Sequence, residues 1–505
     1  MSLDDPAANA VAVSPSHPPT LAAEAELAPC FAPPSTTRRS GPLVPMILGA
    51  ALFMQMLDST IVANALPTMA RSFHEDPVTL NMAITAYLLA AAMFLPISAW
   101  LADRFGARLV FRAAIAGFAA SSMLCGLAQN LPEFVLARML QGCTGALLMP
   151  VGRLVLLRSV PKSELVSAMA FLTLPALLGP ILGPPIGGLI VTFWSWRWVF
   201  FINVPMGVLG VLLATLYMPE VREETRQPLD LRGLVLTAAG LAGIVYGFSN
   251  LGGGELSTGW TATLLGGGTA CLLLYLVHAR RTPHAILDLS LMRIQTYGVS
   301  QIGGLFGRLA IGASPFLLAL LFQLGFGLSA FAAGMLTFAT ALGALAMKAT
   351  AVRIIRLFGF KTVLIGNSII VAATSGACAL FRATTPHWLM FATLFVSGFF
   401  RSLHFSALNA LGFADVPHSA MSRASSLQSV FQQLTQSFGI GLAAVLIRLT
   451  VAWHGNGPLQ ATDITPAFAI IAALGLVSIL TFLPLPANAG AEVSGHNFSG
   501  GMEEG

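Results

Sequence analysis

One carboxylate stands apart from the rest of this sequence. Of 21 acidic residues, Asp58 alone lies well inside a long apolar stretch, and Arg138 sits at a similar depth in another. Ionisable groups placed in hydrocarbon are costly and usually functional. A carboxyl in such surroundings holds its proton more firmly, and a neighbouring cation loosens that hold. The pair therefore has the tuning a proton carrier needs; the alternative is a static ion pair that fixes packing. The second half of the chain has the opposite imbalance. Arg308 and Arg401 fall mid-stretch, with His404 one turn after Arg401, and no acid in those stretches can neutralise them. A guanidinium suits two-point recognition of carboxylate or phosphate. Backbone carbonyls, or hydroxyls such as Ser314 and Ser402, are the alternative partners. Gln428, Gln432 and Gln436 recur every fourth residue and share one helical face, fit to line a wet cavity or to bind a neighbouring helix. Gln55 and Gln141, each three residues from one member of the Asp58–Arg138 pair, complete the candidates for a substrate cavity. Arg153, Lys348 and Arg448 lie nearer the ends of their stretches and are expected to snorkel.

The elements that must position these groups are membrane-spanning helices. Of 505 residues, 56% are hydrophobic and only 9% charged, against roughly 25% charged in an ordinary soluble domain. A span needs about 20 mostly apolar residues. Fourteen stretches qualify: 43–66, 79–101, 109–128, 133–157, 165–191, 199–218, 231–250, 261–278, 297–322, 331–352, 362–381, 388–411, 426–450 and 466–486. Glycines at 252–254 and 266–268 dilute the seventh and eighth. Residues 1–42 and 487–505 read as disordered cytoplasmic tails, since neither has an apolar run long enough for a signal peptide. With the N-terminus inside, the inner loops hold Arg104, Arg108, Arg158, Lys162, Arg280 and Lys361 among others, against Arg71, Arg197 and Arg382 outside. That asymmetry places both termini in the cytoplasm. Trp194, Trp196, Trp198, Trp260, Trp388 and Trp453 then fall at the outer interface, where an indole keeps its N–H wet.

Two short motifs punctuate this pattern. After the second span comes Leu101-Ala102-Asp103-Arg104-Phe105-Gly106-Ala107-Arg108, a carboxylate flanked by two arginines. In the fifth, Gly179-Pro180-Ile181-Leu182-Gly183-Pro184-Pro185-Ile186-Gly187-Gly188 sets glycines on one face every fourth residue, which lets another helix come close. Its prolines remove backbone donors and kink the helix.

With Leu57-Asp58-Ser59-Thr60-Ile61-Val62-Ala63-Asn64-Ala65-Leu66-Pro67 and Arg138-Met139-Leu140-Gln141-Gly142, these segments resemble the major facilitator superfamily. Within it they resemble the fourteen-helix drug:proton antiporter-2 family of EmrB/QacA type, and Met149-Pro150-Val151-Gly152-Arg153-Leu154 and Phe306-Gly307-Arg308 are most similar to its MdtD-like branch. The resemblance runs from about residue 43 to 486. It implies an all-α membrane protein with a six-helix half (43–218), two inserted helices with a cytoplasmic linker (219–296) and a second six-helix half (297–486). It implies proton coupling at Asp58 and Arg138, and a gating loop of Asp103, Arg104, Gly106 and Arg108. It also implies an antiporter motif of Gly179, Pro180, Gly183, Pro184, Gly187 and Gly188, whose kinked face keeps protons from leaking. Ala63, Ala99 and Ala107 depart from the family pattern, the last two weakening the expected latch. An acid-free echo of the loop motif, Arg356 to Lys361, follows the tenth span.

The expectation is a proton-driven exporter of small organic compounds in the bacterial inner membrane. It is not an enzyme, and needs no metal or cofactor beyond the proton gradient. No G-x-x-x-x-G-K-[ST] loop occurs, which argues against ATP drive, and five scattered Cys form no metal or disulfide pattern. No basic tract suits nucleic acid. The partners expected are a small-molecule substrate and the bilayer, with a periplasmic adaptor and outer-membrane channel as further candidates. Arg308 and Arg401 keep open export of an organic anion or metal-chelating metabolite, and proton-coupled import is the remaining alternative.

Overall fold

The computed structural model describes residues 43–494 and 496, apart from 75–76, 162–163, 221–227, 252–256, 283, 329 and 455–459. The expected tail at 1–42 lies outside the described residues, as do 495 and 497–505. Among the described residues the regular structure is helical, with no strand.

Helix α1 is Leu43–Phe73. Helix α2 runs over Pro77–Phe94, tightens into a 3-10 turn at Leu95–Ile97 and continues as Ser98–Phe105. Pro96 lies in that turn, where a missing backbone N–H and a fixed φ break the α-helical ladder. Then follow α3 (Ala107–Leu127), α4 (Leu131–Ser159) and α5 (Leu165–Phe193). Helix α6 (Asn203–Tyr217) comes after the single turn Trp198–Phe201. The inserted pair is α7 (Leu231–Leu251) and α8 (Thr258–Arg281). Helix α9 is Gln295–Leu320. The next element, Ala330–Cys378, is two helices meeting at Gly359, whose φ of 70° and ψ of 165° leave the helical region. These are α10 (330–358) and α11 (360–378). Last come α12 (His387–Ala414), α13 (Met421–Trp453) and α14 (Ala461–Phe482).

Among the described residues, twelve segments are long and apolar enough to cross a bilayer. One of them holds both α10 and α11, and the 29-residue α5 contributes the shorter apolar stretch Leu165–Ala176. The glycines that dilute the inserted pair are partly its contact surface. A Cβ on Gly268 would lie 2.9 Å from the Ile244 backbone nitrogen and 3.0 Å from the Gly240 carbonyl, so α7 and α8 pack backbone to backbone there. Large apolar side chains stand exposed along the outer faces, among them Leu136, Val208, Leu216, Leu274 and Leu480. Such a surface is stable against lipid tails and not against water.

The core is forked. At one end a single cluster joins Leu48, Phe111 and Leu154 of the first half to Tyr297, Phe413 and Val430 of the second, with Leu241 and Tyr275 of the inserted pair. At the other end the halves keep separate clusters, one around Leu57, Phe134 and Phe200 and one around Leu317, Phe322 and Phe468. The halves are therefore packed together at the Gly106 end, and each has its own core at the end nearer Asp58.

Two expectations are corrected here. Residues 487–494 are not a disordered tail: Ala491–Ser494 is a short helix, Val493 is buried in the joint core, and a Cβ on Gly490 would sit 2.9 Å from the Phe360 ring. Trp196 does not reach a wet interface. It is 4% exposed and stacks edge-on with Phe73, Phe134 and Phe200, whereas Trp194, Trp198, Trp260, Trp388 and Trp453 are exposed as expected.

Candidate functional site

Helices α1 and α4 bring Asp58 and Arg138 together. Arg138 Nη1 donates to Asp58 Oδ2 at 2.9 Å, and both side chains are 1% exposed. Taking two charges out of water costs several kcal/mol each unless the remaining polar atoms are also satisfied. Here they largely are. Gln141 Nε2, one helical turn after Arg138, donates to Asp58 Oδ1 at 3.0 Å, and Asn203 Nδ2 donates to the same oxygen at 2.8 Å. Asn203 also reaches Ser122 Oγ at 2.9 Å, and Ser122 donates to the Phe200 carbonyl. The guanidinium lies 4.5 Å above the Tyr87 ring, and Gln55 Nε2 donates to the Tyr87 hydroxyl and the Gly145 carbonyl, both at 3.1 Å. One carboxylate thus holds α1, α4 and α6 together in an interior closed to water. Protonating it would remove the charge that three donors converge on.

Asp58 is carried by a helix with almost no lateral freedom. The glycine stripe of α5 packs against α1 from Met56 to Ile61. A Cβ on Gly179 would stand 2.7 Å from Met56 Cβ and 2.8 Å from the Leu57 nitrogen, one on Gly183 would run into Thr60, and one on Gly187 would be 3.1 Å from Ile61 Cγ2. Pro180, Pro184 and Gly188 belong to the same helix, which stays α-helical through the motif. Helix α5 in turn packs against the 330–378 segment that holds α10 and α11, and against α12, all of the other half.

The loop motif forms a turn that only glycine adopts readily: Gly106, at φ 91°, closes α2 and starts α3. Asp103 accepts from Ser422 Oγ at the start of α13 and lies 3.9 Å from Arg158. Arg108 donates to the Thr215 carbonyl of α6, and Arg104 is exposed beside Asp230 and His284. Asp103 is the first rung of a ladder between the halves. Ser425 Oγ donates to the Pro150 carbonyl at 2.8 Å, Ser426 Oγ meets Ser98 Oγ at 3.3 Å, and Arg153 reaches Ser429 Oγ and Gln432 Oε1 at 3.4 Å each. Arg153 therefore does not snorkel. It is 1% exposed and spans the two halves, its guanidinium turned to side-chain oxygens of α13. Lys348 likewise turns inward, to Ser406 Oγ at 2.9 Å.

Arg308 and Arg401 do not share a site. Arg308 is buried, donates to Gln301 Oε1 at 3.1 Å, and leaves Nε and Nη2 without partners. Gln301 continues to Gln428, which donates to Asn409. His404 is buried beside Gly307, with both ring nitrogens unpartnered. Arg401 instead donates to the Ile311 carbonyl and borders a separate cavity. Ser314 and Ser402 bond to backbone carbonyls of their own, at Ala310 and Ala344. The glutamine stripe divides by depth: Gln428 is interhelical glue, Gln432 serves Arg153, and Gln436 is exposed.

Residues 48–314 match the family profile described as Major Facilitator Superfamily. The chain belongs to that superfamily. Among its relatives is a protein named as a multidrug resistance protein, MdtD, of Klebsiella pneumoniae (strain 342), 36% identical over 446 residues, which are 88% of this chain and 94% of that one. Its namesake in Salmonella heidelberg (strain SL476) is 38% identical over 408 residues, 81% of this chain and 87% of that one. Solved facilitator structures share the fold. The human organic anion transporter MFSD10 aligns with a TM-score of 0.61 at 14% identity, covering 87% of this chain and 99% of its own. The proton:xylose symporter XylE bound to 6-bromo-6-deoxy-D-glucose gives 0.61 at 14%, covering 90% and 98%.

Two parts of this facilitator's site escape the motif reading. Asn203, at the first position of α6 after a Trp- and Phe-rich turn, looks like a helix start and gives no sign of reaching Asp58. The serines of α13 had a readable signal: Ser422, Ser425, Ser426 and Ser429 lie at i, i+3, i+4 and i+7, one face of a helix.

Proposed function

We propose that this major facilitator protein exports small organic compounds across the bacterial inner membrane in exchange for protons, with Asp58 as the proton-binding group. The observation that carries the reading is the buried Asp58–Arg138 pair with its two amide donors. A proton on Asp58 neutralises the carboxylate, weakens the hold of Arg138, Gln141 and Asn203, and frees α1 from α4 and α6. Because α1 is locked to α5 by backbone-level contacts, and α5 packs on the 330–378 segment and on α12, the change reaches the other half. Names of the relatives as multidrug resistance proteins support export as the direction and several organic compounds as the cargo. The reading includes no chemical change to the cargo, no nucleotide and no cofactor.

The basic loops put both termini in the cytoplasm. The joint core and serine ladder then close the cytoplasmic side, and the forked end faces out. Passage beyond the periplasm would fall to an adaptor and an outer-membrane channel. The test is uptake by everted vesicles under an imposed pH gradient, acid inside, with cationic dyes, neutral lipophiles and organic anions as probes. Gradient-dependent uptake of at least one probe, lost in Asp58→Asn with insertion unchanged, is expected. Undiminished gradient-driven uptake by Asp58→Asn would refute the assignment.

A further inference from the structure

Arg401 borders a cavity of about 270 Å³ between α9, α10 and α12, lined on its polar side by Gln323, Thr337, Thr340 and Arg401 itself. Among the described residues no Asp or Glu lines it. One Arg401 nitrogen, Nη2, donates to the Ile311 carbonyl, which fixes the plane of the fork, and Thr340 Oγ1 is buried without a hydrogen-bond partner. The one buried carboxylate of this half among the described residues, Asp463, is already bound to His454 at 2.6 Å. A guanidinium at mid-membrane depth with no acid in reach is costly, and the site has the parts of an anion receptor: a concave wall, one fixed cation and, at Thr340, a hydroxyl free to donate.

We propose that this cavity is the subsite for an oxyanion, a carboxylate or phosphate, on the exported compound, with Arg401 as its counter-charge. The proposal rests on the export reading for the word exported and on nothing in the proton site. Arg308 has no part in it, since it is buried with Gln301 outside this cavity. Arg401 gives two-point recognition, Gln323 and Thr340 complete the polar wall, and Leu318 and Ala333 cover the apolar remainder.

The test reads the charge preference of the cavity without transport. Gly334 lines it, and a Cβ there meets open space, so Gly334→Cys is tolerated. The purified variant is placed in phosphatidylcholine nanodiscs and treated with negatively charged sulfonatoethyl or positively charged trimethylammonium-ethyl methanethiosulfonate. Peptide mass spectrometry reads the introduced thiol apart from the native ones. Normalised to free thiol, the anionic reagent is expected to react about tenfold faster or more. Arg401→Gln in that background abolishes the preference and Arg401→Lys retains most of it. The acid 2-naphthoate slows labelling, and its uncharged amide, 2-naphthamide, does not. No preference or a cationic one with Arg401 present, a preference that survives Arg401→Gln, or equal protection by acid and amide overturns the proposal. Protection by added phosphatidylglycerol alone would make the occupant a lipid headgroup and overturn it too. If Arg401→Gln fails to fold, the Gly334→Cys rates and the naphthoate comparison still decide. None of these readouts moves if the proton assignment is wrong.

Discussion

Gly179→Ala adds one methyl group where α5 has no room for it. The new Cβ would lie 2.7 Å from Met56 Cβ, 2.8 Å from the Leu57 nitrogen and 3.0 Å from the Met56 carbonyl carbon. Carbon atoms rest about 3.5–4.0 Å apart, so the two helices must part by roughly 1 Å. Two of the three atoms met are backbone, and no rotamer change relieves them. Overpacking of this kind costs about 1–3 kcal/mol. The displaced segment carries Asp58, whose 2.9 Å bond to Arg138 and 2.8 Å bond from Asn203 cannot both stretch by that much. The same change at Gly187 meets Ile61 Cγ2 at 3.1 Å and finds the Ile61 backbone no nearer than 3.5 Å, so a shift of a few tenths of an ångström relieves it. The expected order is therefore a large loss for Gly179→Ala and a small one for Gly187→Ala. Thermal unfolding of purified protein gives the stability side, and everted-vesicle uptake together with proton leak gives the functional side. Equal, near-native stability and coupling in both variants would show that the glycines are there for some reason other than helix approach.

Asn203→Ala removes a hydrogen bond to a buried charge and should destabilise the protein by about 1.5–3 kcal/mol, visible in thermal unfolding. In Asp58→Asn the same substitution should cost clearly less, which a double-mutant cycle measures. Asp103→Ala cuts the first rung of the ladder and should change maximal transport rate by about two- to tenfold while leaving the substrate concentration at half-saturation nearly fixed. Arg153→Gln keeps one amide donor for Ser429 or Gln432 but loses the two-pronged reach, so turnover should shift in the same direction as in Asp103→Ala, and the two together should be less than additive because they belong to one ladder.

Much of this architecture is legible in the sequence, for one physical reason: charges and glycines are conspicuous among apolar residues. Asp58 and Arg138 are such charges, and the structure joins them. The stripe at Gly179, Gly183 and Gly187 predicts a close helix, and the structure supplies α1 as the partner. Depth along a helix can be counted, but direction around it and the identity of the facing helix cannot. Arg308 and Arg401 lie at similar depth, yet one turns to Gln301 and the other to Ile311. Arg153 lies near a span end, yet α13 gives it oxygens before it reaches water. Residues 487–494 carry no span, but Val493 finds an apolar hole beside Phe360, which composition alone does not reveal.

Helix α7 touches α2 of the first half and α13 of the second. Phe248 stacks on Phe438 at 4.6 Å and fills the gap that Gly441 leaves. A rigid body cannot stay fixed to two bodies that rotate against each other. Any rotation of one half against the other must shift α7 along at least one of them, and the Phe248 ring seated in the Gly441 notch is a contact that such a shift has to break. The same placement covers one flank of the seam between the halves. On the other flank the halves meet directly, through α5 against α12. The added hairpin thus gives the molecule a front and a back.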